Sequence, residues 1–479
     1  MTESAPLPLA VDMDGTLVLS DTLHESLLVL LRRQPLWLFV LPLWLLRGKA
    51  AFKREVAARV QVDPATLPLN TPFLAWLRER HGRPGQGEIV LCTAADAAVA
   101  QAVAGHLGLF DAVIASDGTR NLSGPAKALA LVQRYGERGF DYAGNSAADL
   151  AVWQQARGAV VVNAPTRVLR AAQAQAAGAP VQVIAGTRPT LWTWLRALRL
   201  HQWVKNLLVF VPLLGAHLWF DTDALGHALL AFLAFGLCAS SVYLLNDLMD
   251  LAADRAHPRK RQRPFAAGQL PLAGGLLAPV LLIAAFALAL QLPDRFIWAL
   301  AGYWLLTVAY TFRLKQVPVL DVVVLAALYT SRIIAGAVAV PVAASFWLLA
   351  LSMFLFLSLA LVKRYAELLV MRDSGVADVA GRGYRSDDLP MVGSLGVAAG
   401  FLSVLVLALY VNSGTEGTAL YGQPTLLWLL CPLLLYWIGR MWILTHRGQM
   451  DDDPMLFAVR DKASLIVAGL AAAIAVAAL

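Results

Sequence analysis

The chain has 479 residues, 58% of them hydrophobic and only 15% charged, with a mean hydropathy of +0.62. That excludes a wholly soluble enzyme of this length. The formal net charge of +7 then reads as basic loops on the cytoplasmic side of a bilayer, so no nucleic-acid partner is expected.

The N-terminus, MTESAPLPLAVDMDGT, has no basic start and no long apolar core ahead of its acidic pair, so no signal peptide is expected. Apolar runs long enough to span a membrane recur only from about residue 205, which predicts two domains. In the front part, LAVDMDGTLV is an apolar strand ending in Asp12 and Asp14, one residue apart. EIVLCTAAD (88–96) is a second strand, carrying Thr93. GPAKALALV (124–132) sets Lys127 at the start of a helix. YAGNSAADLAVW (142–153) is a strand, a small-residue turn and Asp149, and GAVVVNAP (158–165) is a further strand. Strands alternating with helices predict a mostly parallel sheet, whose ligands bind beyond the carboxyl ends of the strands.

These segments together resemble the haloacid dehalogenase-like phosphatases, whose four motifs occur here in order over about 185 residues. The resemblance implies a Rossmann-like α/β phosphatase domain over 1–185 with a helical cap at about 17–87. It implies that Asp12 is the nucleophile and that Asp14 protonates the leaving oxygen and then activates water. Thr93 and Lys127 would hold the phosphate, and Asp149 would complete a Mg²⁺ site with Asp12 and Asp14. One position departs from the pattern: Asn145 stands where an acid often follows the glycine. A carboxylate nucleophile splits the transfer into two steps, while lysine and magnesium neutralise the phosphoryl oxygens.

Within the insert, RRQPLWLFVLPLWLLRGK (32–49) is too short to span a bilayer and is bracketed by Arg32, Arg33, Arg47 and Lys49. With Trp37 and Trp44 inside it, it is either a segment lying among lipid headgroups or a cap hairpin packed on itself. Residues 186–204 read as a linker followed by an interfacial helix, LWTWLRALRLHQW.

About nine spans are expected in an all-α membrane domain over 205–479, near 205–220, 224–245, 272–292, 296–312, 319–340, 344–362, 391–411, 424–444 and 463–479. Lys and Arg fall in the loops after the second, fourth, sixth and eighth of these, and the loops after the fifth and seventh have none. Loop charge therefore predicts a cytoplasmic front domain. Cys92, Cys238 and Cys431 are far apart and form no CxxC pair, which fits a reducing compartment.

The loop NDLMDLAADRAHPRKRQRPFAAGQ (246–269) holds Asp247, Asp250 and Asp254 at i, i+3 and i+7, followed by five fixed cations. On a helix the three carboxylates share one face. They repel one another, and near a bilayer each is costly. A Mg²⁺ ion bridging them to a diphosphate, with arginines on the remaining charge, resolves both problems.

NDxxDxxxD at the end of such a span resembles the UbiA superfamily of intramembrane prenyltransferases. RLHQWVKNLLVFVPL (199–213), YTFRLK (310–315), LYTSRIIAGA (328–337), LVKRYAEL (361–368) and DDDPMLFAVRDKAS (451–464) narrow the likeness to the decaprenyl-phosphate phosphoribosyltransferase branch. Where other members carry a second DxxxD, this chain reads KRYAE, with Glu367 alone. The branch implies phosphoribosyl pyrophosphate as donor and polyprenyl phosphate as acceptor, with Mg²⁺ held by Asp247, Asp250 and Asp254. Asn246 would orient the site, and Lys205, Arg263, Lys315 and Lys363 would hold phosphates. Tyr310 and Glu367 are weaker candidates. The expected function is bifunctional: transfer of 5-phosphoribosyl to the lipid phosphate, then removal of the 5-phosphate, in a bacterial inner membrane. The alternative is an aromatic prenyltransferase with a regulatory or non-catalytic front domain. Oligomeric state is not legible.

Overall fold

The computed structural model describes residues 7–83, 85–175, 180–186, 189–257, 259–373, 383–413, 421–451 and 453–479. Arg382 in the basic loop after the sixth expected span, residues 414–420 of the cation-free loop after the seventh, and linker positions 187–188 lie outside the described residues. Two compact units are present: Met1–Leu198 with Leu244–Leu276, and Arg199–Tyr243 with Leu277–Leu479.

The first unit is built on a six-stranded parallel sheet: β1 (Leu9–Val11), β2 (Ile89–Asp96), β3 (Ala112–Ser116), β4 (Asp141–Gly144), β5 (Gly158–Val162) and β6 (Val181–Ile184), in the order β3-β2-β1-β4-β5-β6. Runs such as LAV and GAVVV are apolar throughout because both faces of the sheet are covered. The order reverses direction at β1, with Val11 level with Leu91 on one side and Ala143 on the other. Such a reversal opens a crevice beyond the strand ends, and Asp12 is the first residue to enter it.

The insert after β1 folds as helix Thr22–Arg33, capped by Asp21, then a 3₁₀ turn Pro35–Phe39, a short helix Leu41–Leu46 and helix Lys49–Ala57. It has its own small core of Leu30, Trp44, Phe52, Val56 and Val60. Trp37 and Trp44 turn inward, their rings 4.9 Å apart, with the Arg59 guanidinium over both. The indoles therefore pack within the insert together with Leu41, while Leu38, Phe39 and Leu43 between them face outward. Glu25 on the first insert helix pairs with Arg255 from the same unit at 2.6 Å, both buried. Arg255 also donates to the carbonyls of Thr66 and Ala266.

Loss of one partner from a buried ion pair strands the other charge, at a cost of about 3 kcal/mol or more. Glu25→Gln is expected to speed amide exchange in residues 22–33 and 251–256 roughly a hundredfold, the equivalent of that cost. Hydrogen-exchange mass spectrometry on the full chain measures it, and unchanged exchange in both segments would contradict the role.

The second unit is helical. The expectation of about nine spans does not stand. Among the described residues six helices are long and apolar enough to cross a membrane: Thr222–Met249, Leu272–Ala289, Leu320–Ala339, Phe346–Asp373, Ser386–Asn412 and Pro424–His446. Pro454–Arg460 and Lys462–Ala478, bent by 79°, would make a seventh only if taken as one. The fold is thus a small parallel α/β sheet with a helical half of about six apolar spans. Three apolar runs account for the difference. The 205–220 run is taken up by a 3₁₀ segment, Leu200–Phe210, and a five-residue helix, Val211–Gly215. Helix Arg295–Phe312 is diluted by Trp298, Tyr303, Trp304 and Tyr310. Lys462–Ala478 has 17 residues, about 26 Å of helix against a hydrocarbon core of about 30 Å.

Candidate active sites

The crevice beyond β1 encloses about 800 Å³ and is lined by Asp12, Asp14, Thr93, Lys127, Asn145 and Asp149, among others. Asp12 is fixed by its own N–H, which donates to the Ala143 carbonyl at 2.9 Å. Lys127, in the first turn of helix Pro125–Tyr135, donates to Asp12 Oδ1 at 2.7 Å and to the Tyr142 hydroxyl at 2.8 Å. Asp149 Oδ1 lies 3.6 Å from the same ammonium and accepts from Tyr142 at 2.7 Å. Thr93 is fully buried, its hydroxyl accepting from the Ala95 N–H. Asp14 Oδ1 accepts from the Thr22 N–H at 2.9 Å.

Burial pushes Asp12 up to about 6 against the pull of Lys127, with Asp149 adding to the rise. Burial, and then the nearby Asp21, pushes Asp14 up to about 7. Burial alone would discharge Lys127, but Asp12 and Asp149 hold it above its ordinary value. A carboxylate raised in the folded state is stabilising only while protonated. Its penalty begins above the unfolded value near 4 and is complete above the folded value. Without divalent ions, the first unit is therefore expected to lose stability as pH rises from about 4 to 7, and Asp14→Asn should remove much of that slope. Thermal unfolding in EDTA at pH 5 and pH 8 measures it; higher stability at pH 8 would contradict it.

Asp149 Oδ2 accepts from the N–H groups of Asn145 and Ser146 and from the Ser146 hydroxyl, at 3.1, 2.8 and 2.8 Å. Its acceptor positions are engaged in holding the turn after β4. Asn145 Oδ1, by contrast, is buried without a hydrogen-bond partner. Its amide fits only because residue 15 is glycine, at φ +77°: a Cβ there would lie 2.0 Å from Asn145 Nδ2. Among the described residues no three His, Cys, Asp or Glu side chains converge as metal ligands. An orphaned amide oxygen in the same crevice as Asp12 is nonetheless the oxygen-donor chemistry that Mg²⁺ takes.

The last six residues of helix Thr222–Met249 belong to the same unit; the helix breaks at Asp250 and resumes as Leu251–Ala256. The i→i−4 bonds from Asp250 N–H to Asn246 O and from Asp254 N–H to Asp250 O carry the helical register through the break. Asp247 and Asp254, both buried, consequently reach one cation: Arg263 Nη1 lies 3.3 Å from Asp247 Oδ1 and 2.6 Å from Asp254 Oδ2. Burial raises the Asp254 carboxyl despite the Arg263 charge. Two carboxylate oxygens that already converge on one positive group fit a divalent ion by the same geometry.

In the second unit Lys205 is buried against Asp453, on which Lys363 also acts. Lys315 sits in a 3₁₀ turn, Leu314–Gln316, and Tyr310 packs at the edge of the apolar cluster around Phe235 and Tyr303. Glu367 pairs with the fully buried Arg364, which also lies 2.6 Å from Asp321. Sequence reasoning passed over Tyr142, Lys53 and Asp453. Lys53, on the insert helix, reaches into the crevice and donates to Ala94 O at 2.6 Å and Asn121 Oδ1 at 3.0 Å. Asp453 lay inside a quoted stretch, but the short local spacing of DDDP gave no sign of its partner 248 residues away.

A model of the UbiA prenyltransferase family matches residues 208–470. The chain belongs to that family. The uncharacterized protein y4nM of Sinorhizobium fredii is 38% identical over 97% of this chain and 90% of its own length. Decaprenyl-phosphate phosphoribosyltransferase of Mycolicibacterium smegmatis is 38% identical over 42% of this chain and 62% of its own length. A UbiA homolog from Archaeoglobus fulgidus bound to GPP and Mg²⁺ aligns over 59% of this chain and 99% of that one, at 17% identity and a TM-score of 0.46. This UbiA-family chain is a multi-pass membrane enzyme of prenyltransferase type.

Proposed function

We propose that this UbiA-family protein is a bifunctional enzyme of the bacterial cytoplasmic membrane. It moves 5-phosphoribosyl from phosphoribosyl pyrophosphate to a polyprenyl phosphate and then removes the 5-phosphate, leaving polyprenyl-phosphoryl ribose. Residues 1–185 act as the phosphatase and 205–479 as the transferase, joined by 186–204. The observation that carries the pairing is local to the first unit: the crevice of Asp12 is walled by Gly268, Gln269 and Leu272, in the segment that follows the Asp247–Asp254 ladder. The five-cation loop belongs to that unit too, which supports a cytoplasmic position for the front domain.

In the transfer, a lipid phosphate oxygen bonds to ribose C1 as the C1–pyrophosphate bond breaks, its electron pair leaving with pyrophosphate. Asp247, Asp250 and Asp254 would hold Mg²⁺, which neutralises charge on the departing diphosphate. Arg263, released from the carboxylates, grips phosphate, and within the second unit Lys205, Lys315 and Lys363 are the cations proposed for phosphate binding. In the hydrolysis, Asp12 attacks phosphorus while Asp14 gives its proton to the departing ribose oxygen. Water then attacks the acyl phosphate, returns a proton to Asp14 and frees inorganic phosphate. Burial, which raises Asp14, favours the protonated form that the first step uses. Lys127 and Thr93 hold the phosphoryl oxygens, and Asp12 with Asn145 would hold a second Mg²⁺ while Asp149 fixes the turn.

The test is full-length protein in lipid with labelled phosphoribosyl pyrophosphate, polyprenyl phosphate and Mg²⁺, with the lipid product weighed by mass spectrometry. Polyprenyl-phosphoryl ribose with released pyrophosphate and phosphate is expected. Absence of ribosyl label in lipid, with prenyl transfer to an aromatic acceptor instead, would overturn the reading.

A further inference from the structure

The segment Pro35–Leu46, PLWLFVLPLWLL, contains no charged side chain, and its only polar side-chain groups are the two indole N–H donors. Its inward face is already satisfied, since Trp37 and Trp44 cover the core around Leu30, Phe52 and Val56 and carry Arg59 on their rings. Its outward face is not. Leu46 is 84% exposed, Leu36 77% and Phe39 76%, with Leu38, Leu43 and Leu45 each more than half exposed. Six large apolar side chains turned outward within eleven residues form a patch that a soluble surface does not keep without a partner. Cations bracket it on both sides: Arg32 and Arg33 end the preceding helix, and Arg47 and Lys49 follow.

We propose that this tip of the insert lies in the surface of an anionic bilayer, its leucines and Phe39 among the upper acyl chains and its four flanking cations at the phosphates. The occupant is a lipid surface rather than a protein groove for three reasons. The segment is a five-residue 3₁₀ turn followed by a six-residue helix, too short to present the long i, i+4, i+7 stripe of anchors of a groove-binding helix. Positive charge at both ends with only apolar residues between matches a plane of anionic headgroups over hydrocarbon. The chain is itself a multi-pass membrane protein, so a bilayer is always within its tether. Twelve residues of mixed 3₁₀ and α structure cannot span, so the tip lies in the interface. This surface does not depend on the chemistry proposed for the crevice.

Spin labels at Leu36→Cys, Phe39→Cys and Leu46→Cys test it in the full-length protein, reconstituted in nanodiscs containing phosphatidylglycerol. The native cysteines are buried and leave the labelling selective. A label at Glu79→Cys, whose side chain is 64% exposed, serves as the aqueous control. Power saturation is expected to show the three tip labels at least about tenfold more accessible to oxygen, relative to a water-soluble nickel chelate, than the control. Replacing phosphatidylglycerol by phosphatidylcholine should reduce that ratio. Tip labels as open to nickel as Glu79 would overturn the proposal. So would protection that appears only in discs holding two copies, with spin–spin broadening, because the occupant would then be a second chain.

Discussion

Asp247→Asn is expected to cut ribosyl transfer to lipid by about a hundredfold or more, near 3 kcal/mol of transition-state stabilisation, while hydrolysis of a small aryl phosphate stays within a factor of about two. Asp247 is buried and shares Arg263 with Asp254, so the substitution keeps the shape and removes one of two charges converging on a single cation. A divalent ion at that point would lose an anionic ligand as its diphosphate leaves, where the interaction counts most. The folded site should tolerate the change: one fewer carboxylate also relieves like-charge repulsion, and Arg263 keeps Asp254. Transfer of labelled ribose from phosphoribosyl pyrophosphate, assayed with Asp254→Asn alongside, measures the effect. Retention of more than about a third of wild-type transfer by both variants would remove the ladder from the proposed mechanism.

The parts of these sites that could be read from sequence are those fixed by local geometry. Asp12 and Lys127 were both readable because each sits at a strand end or a helix start, where chain direction alone aims a side chain into the crevice. Their contact at 2.7 Å follows from topology. The Asp247–Asp254 spacing was readable because i→i−4 bonds persist through the break at Asp250, although the break itself carried no signal. Tyr142 was not legible. A tyrosine in a buried strand looks like core until a lysine and a carboxylate, both placed by other segments, meet its hydroxyl. Lys53 was hidden for the same reason, as a lone cation on a helix whose docking nothing local encodes. The two tryptophans of the insert left a lipid-facing segment and a self-packed hairpin both open. In the structure the indoles pack with Leu30 and Phe52, while Leu36, Phe39 and Leu46 take the outer face, so the indoles pack inward and the neighbouring apolar side chains stay outside. Span counting failed where hydropathy ignores length and backbone form, as in Leu200–Phe210, which is apolar but wound as a 3₁₀ helix.

Asp12→Asn is expected to abolish phosphatase turnover, at least about a thousandfold or ~4 kcal/mol, and to leave ribosyl transfer intact. The lipid product should then accumulate one phosphate heavier than in the wild type. The amide keeps the volume of the carboxylate, but it cannot form the acyl phosphate and cannot balance Lys127, which is buried and held charged by Asp12 and Asp149. Asp149 and Tyr142 remain within reach of the ammonium, so the variant should fold, with some loss of stability from the weakened pair. The comparison with Asp14→Asn separates chemistry from electrostatics. Both substitutions remove a carboxylate raised by burial, so both should flatten the fall in stability between pH 5 and pH 8. Only Asp12→Asn removes the attacking atom. Asp14→Asn should retain slow turnover of aryl phosphates with good leaving groups, which need no proton, and lose most turnover of the ribose ester, which does. If both variants instead lost aryl and ribose phosphates equally, Asp14 would be holding the turn at Thr22 rather than moving a proton, since its Oδ1 already accepts that N–H at 2.9 Å.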